Sequence, residues 1–187
     1  MTLLWVVIII VVIALLYVVA AYNGLVSLKT RTEEAWSDIT VQLKRRYDLI
    51  PNLVSTVKGY AKHEKKVFED VTKARTEAMN AKGLGSKAEA EKSLAGALKS
   101  VFAVAENYPN LKANENFLKL QGELSETENK IEASRRFYNA NVRDYNIRIK
   151  SFPTNIVANS FSFASKDLFD VAEGEKSEVE KAPKVEV

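Results

Sequence analysis

The stretch LLWVVIIIVVIALLYVVAA, which begins at Leu3 and ends at Ala21, contains no charged residue, and only the rings of Trp5 and Tyr17 carry polar side-chain atoms. About 19 helical residues with a rise of ~1.5 Å each give roughly 28 Å, which is close to the hydrocarbon thickness of a bilayer. Such a helix has no polar face to present to water. The sequence therefore predicts a transmembrane helix over residues 1–24, with Trp5 and Tyr17 as interfacial anchors.

A cleaved signal peptide and the buried core helix of a soluble protein are the alternatives to a membrane span. A signal peptide has basic residues before its apolar run, and no Lys or Arg precedes this one. A core helix would be amphipathic or shorter. The pattern thus favours a single span. Because Lys29 and Arg31 follow it, the positive-inside rule favours a cytoplasmic body, with the extracytoplasmic side as the alternative.

Composition and motifs restrict the chemistry of the chain. Its 187 residues have a net charge of +3, one His and no Cys. Proteins that bind duplex nucleic acid show a basic patch, which this charge does not indicate. The absence of Cys excludes disulfides and thiol catalysis, and one His among lysines supplies neither a di-iron bundle site nor a catalytic triad. We expect a protein that is not an enzyme, without cofactor, metal or small-molecule substrate.

The remainder of the chain has helical periodicity. Apolar residues recur at intervals of three and four over residues 25–47, 53–78, 94–105 and 117–149, which predicts four helices with one buried stripe each. Glu64 falls at a core position of the second stripe, so we expect it to be paired or to lie near a helix end. Residues 172–187 are rich in charge and lack periodicity, which predicts a disordered tail.

Pro51 is the strongest helix-breaking residue between the first two predicted helices. It has no backbone N–H and disfavours a helical conformation at Ile50, while Asp48 can cap a new helix. This pattern favours a tight turn between antiparallel helices, and a kinked continuous helix is the alternative. Farther along, Gly83 and Gly85 suit a left-handed helix end.

The C-terminal part of the last helix is rich in amides and aromatic rings. Asn139, Asn141 and Asn146 fall near Tyr138 and Tyr145, and buried amides of this kind fix helix register when their hydrogen bonds are satisfied. Pro153 should stop this helix. We expect residues 152–169 to form an extended aromatic segment that packs along the helices, and a position on lipid is the alternative.

Two helix ends are candidate surfaces for a protein partner. The first contains Arg45, Arg46 and Asp48, and the second is a turn that contains Tyr108 and Asn110. Exposed residues at turns are more often used for binding than residues of a buried stripe.

Three stretches of the sequence carry a family resemblance. They are YNGLVSLKTRTEEAWSDITVQLKRRYDLIPNLVSTVKGYAKHEK, AVAENYPNLKANENFLKLQGELSETENKIEASRRFYN and FPTNIVANSF. In this order, from Tyr22 to Phe169, they resemble the LemA family of bacterial membrane proteins. The resemblance implies an N-terminal transmembrane helix and an antiparallel four-helix bundle over residues 25–171, in a bacterial cell membrane, and it agrees with a turn at Pro51. Ser162 stands where the family tends to have Gly. If that Gly serves a left-handed position, the loop here must be built differently.

The resemblance supplies no enzymatic activity, and some relatives are associated with magnetosome membrane organisation. We therefore expect a membrane-anchored scaffold or adaptor that contacts the lipid bilayer and binds a protein partner or itself. A membrane-shaping or signal-transmitting oligomer is the alternative.

Overall fold

A computed structural model describes residues 1–169 of the chain, and the predicted disordered tail lies outside them. The described residues form six helices and no strand. The helices are α1 (Thr2–Tyr60), α2 (Lys65–Asn80), α3 (Leu84–Glu106), α4 (Pro109–Lys112), α5 (Glu115–Lys150) and α6 (Thr154–Ser160). The all-α fold class is confirmed, while the antiparallel four-helix bundle stays a prediction.

Helix α1 is continuous for 59 residues and contains Pro51, so the predicted turn at this proline is wrong. Ile50 is helical and buried, and Asp48 lies exposed inside the helix instead of capping a new one. In a regular helix the residue at position 51 donates its N–H to the carbonyl of Tyr47, and a proline cannot. Arg75 of α2 donates its Nε to that carbonyl at 2.7 Å. The carbonyl of Tyr47 therefore keeps a hydrogen-bond donor, and the helix continues through Pro51.

The first break in the helical chain lies at residues 61–64, between α1 and α2. The predicted helix over residues 53–78 is therefore interrupted there, although no Gly or Pro marks the site. Glu64 is half-buried and immediately precedes α2, which agrees with the expectation of a helix end. The turn also contains His63, whose side chain is exposed.

The later helix ends follow local sequence signals. Gly83 has a φ of 83° and caps the start of α3, a conformation that glycine adopts without steric cost. Gly85 lies inside α3, and α2 ends at Asn80 with Ala81 extended, so the predicted left-handed end of the preceding helix is wrong. The predicted turn near Pro109 contains the short α4. Asn114 caps α5, because its Oδ1 accepts a hydrogen bond from the backbone N–H of Phe117 at 3.0 Å.

Two compact units make up the described residues. The terminal unit comprises Met1–Thr40 and Glu132–Leu168, and the central unit comprises Val41–Ile131 together with Phe169. This division does not test the predicted domain limits at residues 24 and 171, which stay predictions.

Each unit has its own buried residues. In the terminal unit one apolar cluster contains Ala21, Leu25, Tyr145, Ile149, Val157 and Ala158. In the central unit α2 packs against α3, and the fully enclosed apolar side chains include Leu43, Ile50, Leu53, Val57, Val71, Leu94, Val101 and Leu111.

The segment after α5 is partly helical, which corrects the prediction of an extended segment. Two residues after the end of α6, Ser162 lies in the left-handed region, at a φ of 57°. The N–H of Phe163 donates to the carbonyl of Ala158 at 2.9 Å, and that of Ser162 to the carbonyl of Asn159 at 3.3 Å. These two bonds form a Schellman motif, whose left-handed position is usually Gly. Because Ser162 itself adopts the left-handed conformation, the expectation that this loop is built differently is wrong.

Candidate functional site

The central unit contains a buried polar cluster built on α1. The side chain of Arg46 is 3% exposed and pairs with Glu91 of α3, which is also 3% exposed. Arg46 pairs in addition with Glu128 of α5, whose side chain is 57% exposed. The hydroxyl of Tyr47 donates a hydrogen bond to Glu91. One arginine therefore links a buried carboxylate to a carboxylate at the surface.

The electrostatics of this cluster indicate a structural role. Removing one partner of a buried ion pair costs about 3–5 kcal/mol, because the other charge is left without compensation. Burial, followed by the hydrogen bond to Glu91, raises the pKa of Tyr47, so its hydroxyl stays protonated and donates. These contacts hold Arg46, Glu91 and Tyr47 in place. The cluster therefore links α1 to α3.

The predicted partner surface is only partly at the surface. Arg46 is buried in this cluster, which corrects its placement among exposed residues, because its position on the stripe with Leu43 directs it inward. Arg45 and Asp48 are exposed on α1. Arg45 helps to lower the pKa of Glu126, after the larger effect of the bond from Lys130.

The second predicted surface lies on a separate element, where Asn110 is exposed and Tyr108 is half-buried beside α4. Whether either surface binds a partner stays a prediction.

In the terminal unit, α6 is attached to the apolar stretch. The hydroxyl of Tyr17 lies 3.1 Å from Oγ1 of Thr154. The ring of Tyr22 contacts those of Phe161 and Phe163 edge-on, with centroid distances of 4.8 and 5.7 Å. Ala21, the last residue of the stretch, is buried by this packing, whereas Leu3 and Trp5 are exposed. We call α6 with Phe152, Phe161 and Phe163 the aromatic base.

The chain after the aromatic base is fastened to α5 and α1. The Asn146 amide accepts from the N–H of Lys166 at 3.0 Å and donates to the carbonyl of the same residue at 2.8 Å. Tyr138 donates to the carbonyl of Asp167 at 3.0 Å, and burial, followed by the charge of Asp167, raises the pKa of Tyr138. The Lys166 ammonium pairs with Glu33 at 3.1 Å. Asn146 therefore positions this segment, which refines its predicted role in helix register.

A cavity of about 530 Å³ lies beside this fastening. The cavity is lined by the rings of Tyr22 and Phe163 and by the polar side chains of Lys29, Glu33 and Lys166. Over residues 1–169, no group of three acidic or histidine side chains is arranged to hold a metal ion.

One helix in the described part of the chain, α1, is long and apolar enough to cross a membrane. Its most apolar window has a mean hydropathy of 3.3, and none of that window is buried inside the protein. Residues 1–169 are helical without strands, and one of their helices carries such an exposed apolar segment, which is typical of a membrane-associated helical protein.

The chain belongs to the LemA family, whose family model matches residues 35–186. It is 30% identical over 164 residues to the protein LemA of Metamycoplasma hominis, an alignment that covers 85% of this chain and 71% of that protein. It is 28% identical over 174 residues to the magnetosome protein MamQ 2 of Paramagnetospirillum magneticum, covering 79% of this chain and 64% of the relative.

The magnetosome protein MamQ of Magnetospirillum gryphiswaldense is 26% identical over 174 residues, with the same shares covered. The chain thus spans just under two thirds of the length of these magnetosome relatives. The family predicted from the sequence is confirmed, and family membership together with the apolar helix favours a membrane location.

Sequence reasoning missed the partners of the buried cluster. Glu91 and Glu128 lie 45 and 82 residues from Arg46, and no local pattern joins them. A signal for Glu91 was present, since it lies three residues before Leu94 and so shares the buried stripe of α3. Thr154 carried no such signal.

Proposed function

We propose that this protein is a membrane-anchored, non-enzymatic scaffold or adaptor that presents a helical body to a protein partner or to copies of itself. Residues 3–21 cross the bilayer once, and the later part of α1 forms an antiparallel four-helix bundle with α2, α3 and α5. The observation that carries the proposal is α1 itself, in which a largely exposed apolar segment continues without interruption into a helix with a buried stripe.

Two further observations support a scaffold over an enzyme. Arg46 and Glu91, the buried charged residues of the central unit among those described, are paired with each other. In addition, similar proteins bear magnetosome names, and a magnetosome is a membrane-bounded structure. A role at a membrane surface accords with both observations.

The charges that follow the span support a cytoplasmic body. Lys29 and Arg31 lie within the first turns after the apolar stretch, and such residues favour the cytoplasmic side. The extracytoplasmic side is the alternative. Labelling of single cysteines at Asn110 in intact cells, with a membrane-impermeant maleimide, distinguishes the two, because only an extracytoplasmic residue reacts before lysis.

A photo-crosslinking experiment in native membranes tests the proposal. A benzophenone amino acid is placed at Arg45, Asp48 or Asn110, which are exposed. The control is Arg143, an exposed residue of the terminal unit. We expect a discrete adduct, with another protein or with a second copy, from at least one of the three positions and not from the control. Equal, diffuse crosslinking at all four positions would contradict the proposed surfaces.

A sedimentation experiment tests the anchor itself. The full chain should stay with membranes during alkaline carbonate extraction and float with them in a density gradient. Release into the soluble fraction would refute the proposed span.

A further inference from the structure

Helix α6 is joined to the part of α1 that is proposed to lie in lipid. Tyr17 bonds Thr154 at 3.1 Å, and Val157 and Ala158 share one apolar cluster with Ala21. Tyr17 and Ala21 are the last turn of the apolar stretch. Whatever depth these two residues have in the bilayer, α6 lies beside them at a similar depth.

The exposed side of α6 and of its flanking residues carries large apolar side chains and no charge. Phe152, Ile156 and Phe161 are 80%, 58% and 53% exposed. In contrast, Thr154, Val157 and Ala158 are buried against the rest of the terminal unit. A soluble helix would place charged residues on its outer face. Here Ile156 and the flanking Phe152 and Phe161 are exposed beside the uncharged Asn159 and Ser160, a composition that suits a membrane interface better than bulk water.

Charge is absent from the whole segment around α6. No charged residue occurs over residues 151–165, and Lys150 and Lys166 border this run. Lys150, at the end of α5, is exposed, as is Lys29 on α1. Lysines at the borders of an immersed segment keep their ammonium groups at the headgroups while their stems lie along apolar surface. The arrangement is that of a segment at a membrane interface.

We propose that α6, with Phe152 and Phe161, is immersed in the bilayer beside the end of the span, as a second contact between this protein and lipid. The inference rests on the proposed membrane span. A second copy or another protein could also cover an apolar face. Lipid is favoured because α6 packs directly against the end of the proposed span, and the hydrocarbon around Tyr17 and Ala21 would reach the same depth.

Depth-dependent fluorescence quenching tests this placement in the full chain. Trp5 and Trp36 are replaced by Phe, and a single tryptophan is introduced as Ile156→Trp. The matched control is Phe137→Trp, because Phe137 is also 58% exposed. Phe137 precedes Tyr138, whose ring packs against Trp36 at 5.5 Å. Trp36 follows Ala21 by about 15 residues, or roughly 22 Å of helix.

The proteins are reconstituted into phosphatidylcholine and phosphatidylglycerol vesicles that carry bromine at a shallow or a deep acyl position. We expect the Ile156→Trp fluorescence to fall by more than half, with the shallow bromine quenching more strongly. The Phe137→Trp fluorescence should change by less than a tenth. Equal, weak quenching of both tryptophans would overturn the proposal, and this is also the result if a protein partner or a second copy covers α6.

A third variant separates this inference from the proposed anchor. With Trp36→Phe alone, the remaining Trp5 reports on the span. Quenching of Trp5 without quenching at position 156 refutes only the second lipid contact. Absence of both refutes the span as well.

A benzophenone amino acid at Phe152, with Phe137 as its control, provides a measurement that keeps both native tryptophans. A lipid adduct at position 152 alone, detected by mass spectrometry, supports the placement. Adducts with protein alone contradict it.

Discussion

Replacing Arg75 with methionine should destabilise the central unit strongly when Pro51 is present and weakly when it is not. In the native chain Arg75 Nε donates to the carbonyl of Tyr47 at 2.7 Å, and the proline at position 51 has no N–H for that carbonyl. In Pro51→Ala the new N–H donates to Tyr47 within the helix. The guanidinium is then no longer the partner on which this carbonyl depends.

The magnitude follows from the kind of bond. A hydrogen bond from a charged donor contributes about 1.5–3 kcal/mol, and a buried acceptor that loses its donor costs about 1–3 kcal/mol. Arg75→Met should therefore lower the free energy of unfolding by about 1.5–3 kcal/mol with Pro51 present. In the Pro51→Ala background we expect a loss of about 0.5–1 kcal/mol, as for a neutral or redundant bond. The coupling energy of the pair is then about 1–2 kcal/mol.

Urea unfolding of the full chain in detergent micelles, followed by far-UV circular dichroism, gives the four free energies of this double-mutant cycle. Hydrogen exchange of the amides near Pro51 assigns the change to this part of α1. Arg45→Met is the control, because Arg45 is an exposed arginine of α1, and its effect should be the same in both backgrounds. If Arg75→Met costs as much in the Pro51→Ala background as in the native chain, the carbonyl of Tyr47 is not what Arg75 serves, and our explanation of the continuous helix is wrong.

Three further predictions concern single sites. Ser162→Gly should stabilise the aromatic base by about 0.5–1 kcal/mol. A left-handed residue with a Cβ costs ~1–2 kcal/mol, and the greater backbone entropy of glycine in the unfolded chain offsets part of the gain. Thermal unfolding measures the change, and the control Ser165→Gly should not stabilise. Arg46→Met should cost about 3–5 kcal/mol, and Glu128→Gln less than about 1 kcal/mol because Glu128 is exposed, by urea unfolding; equal losses would contradict the buried pair. Folding raises the pKa of Tyr47, so the stabilisation that Tyr47 contributes to the folded state is complete below the unfolded pKa of about 10. It is lost at higher pH, by up to ~1.4 kcal/mol per pH unit, because the unfolded tyrosine ionises first. Tyr47→Phe should flatten the decline of stability measured from pH 9 to 11, and an unchanged slope would exclude this tyrosine as its source.

The helices were predictable where the signal is local. The apolar stretch, the positive φ of Gly83 and the turn at Pro109 each depend on one short pattern, although Gly83 begins α3 and does not end α2. The apolar phase also continues through Tyr47, Ile50 and Leu53 without a shift, which indicates a continuous helix across Pro51. The proline predicts a break all the same, because Arg75, the donor that compensates for its missing N–H, lies outside the local sequence.

The remaining errors concern contacts between distant residues. The turn at residues 61–64 contains neither Gly nor Pro, so no helix breaker marks it. The burial of Arg46 depends on Glu91, which propensity and periodicity do not connect to it. Likewise, α6 forms where its buried face meets α1, and a seven-residue segment has little helical stability of its own.

The hydrogen bond between Tyr17 and Thr154 joins residues that are 137 positions apart. At about 5–20 residues per second, a ribosome needs roughly 7–27 seconds to make the intervening chain. Nearly all of the central unit is contiguous in sequence and is complete before Thr154 is synthesised. If residues 3–21 cross the bilayer as proposed, this stretch has to be inserted and stable during this interval without α6. Docking of the aromatic base onto α1 therefore comes late in synthesis, and on the proposed topology a nascent chain stalled before residue 154 would hold an inserted helix whose Ala21 side is not yet covered.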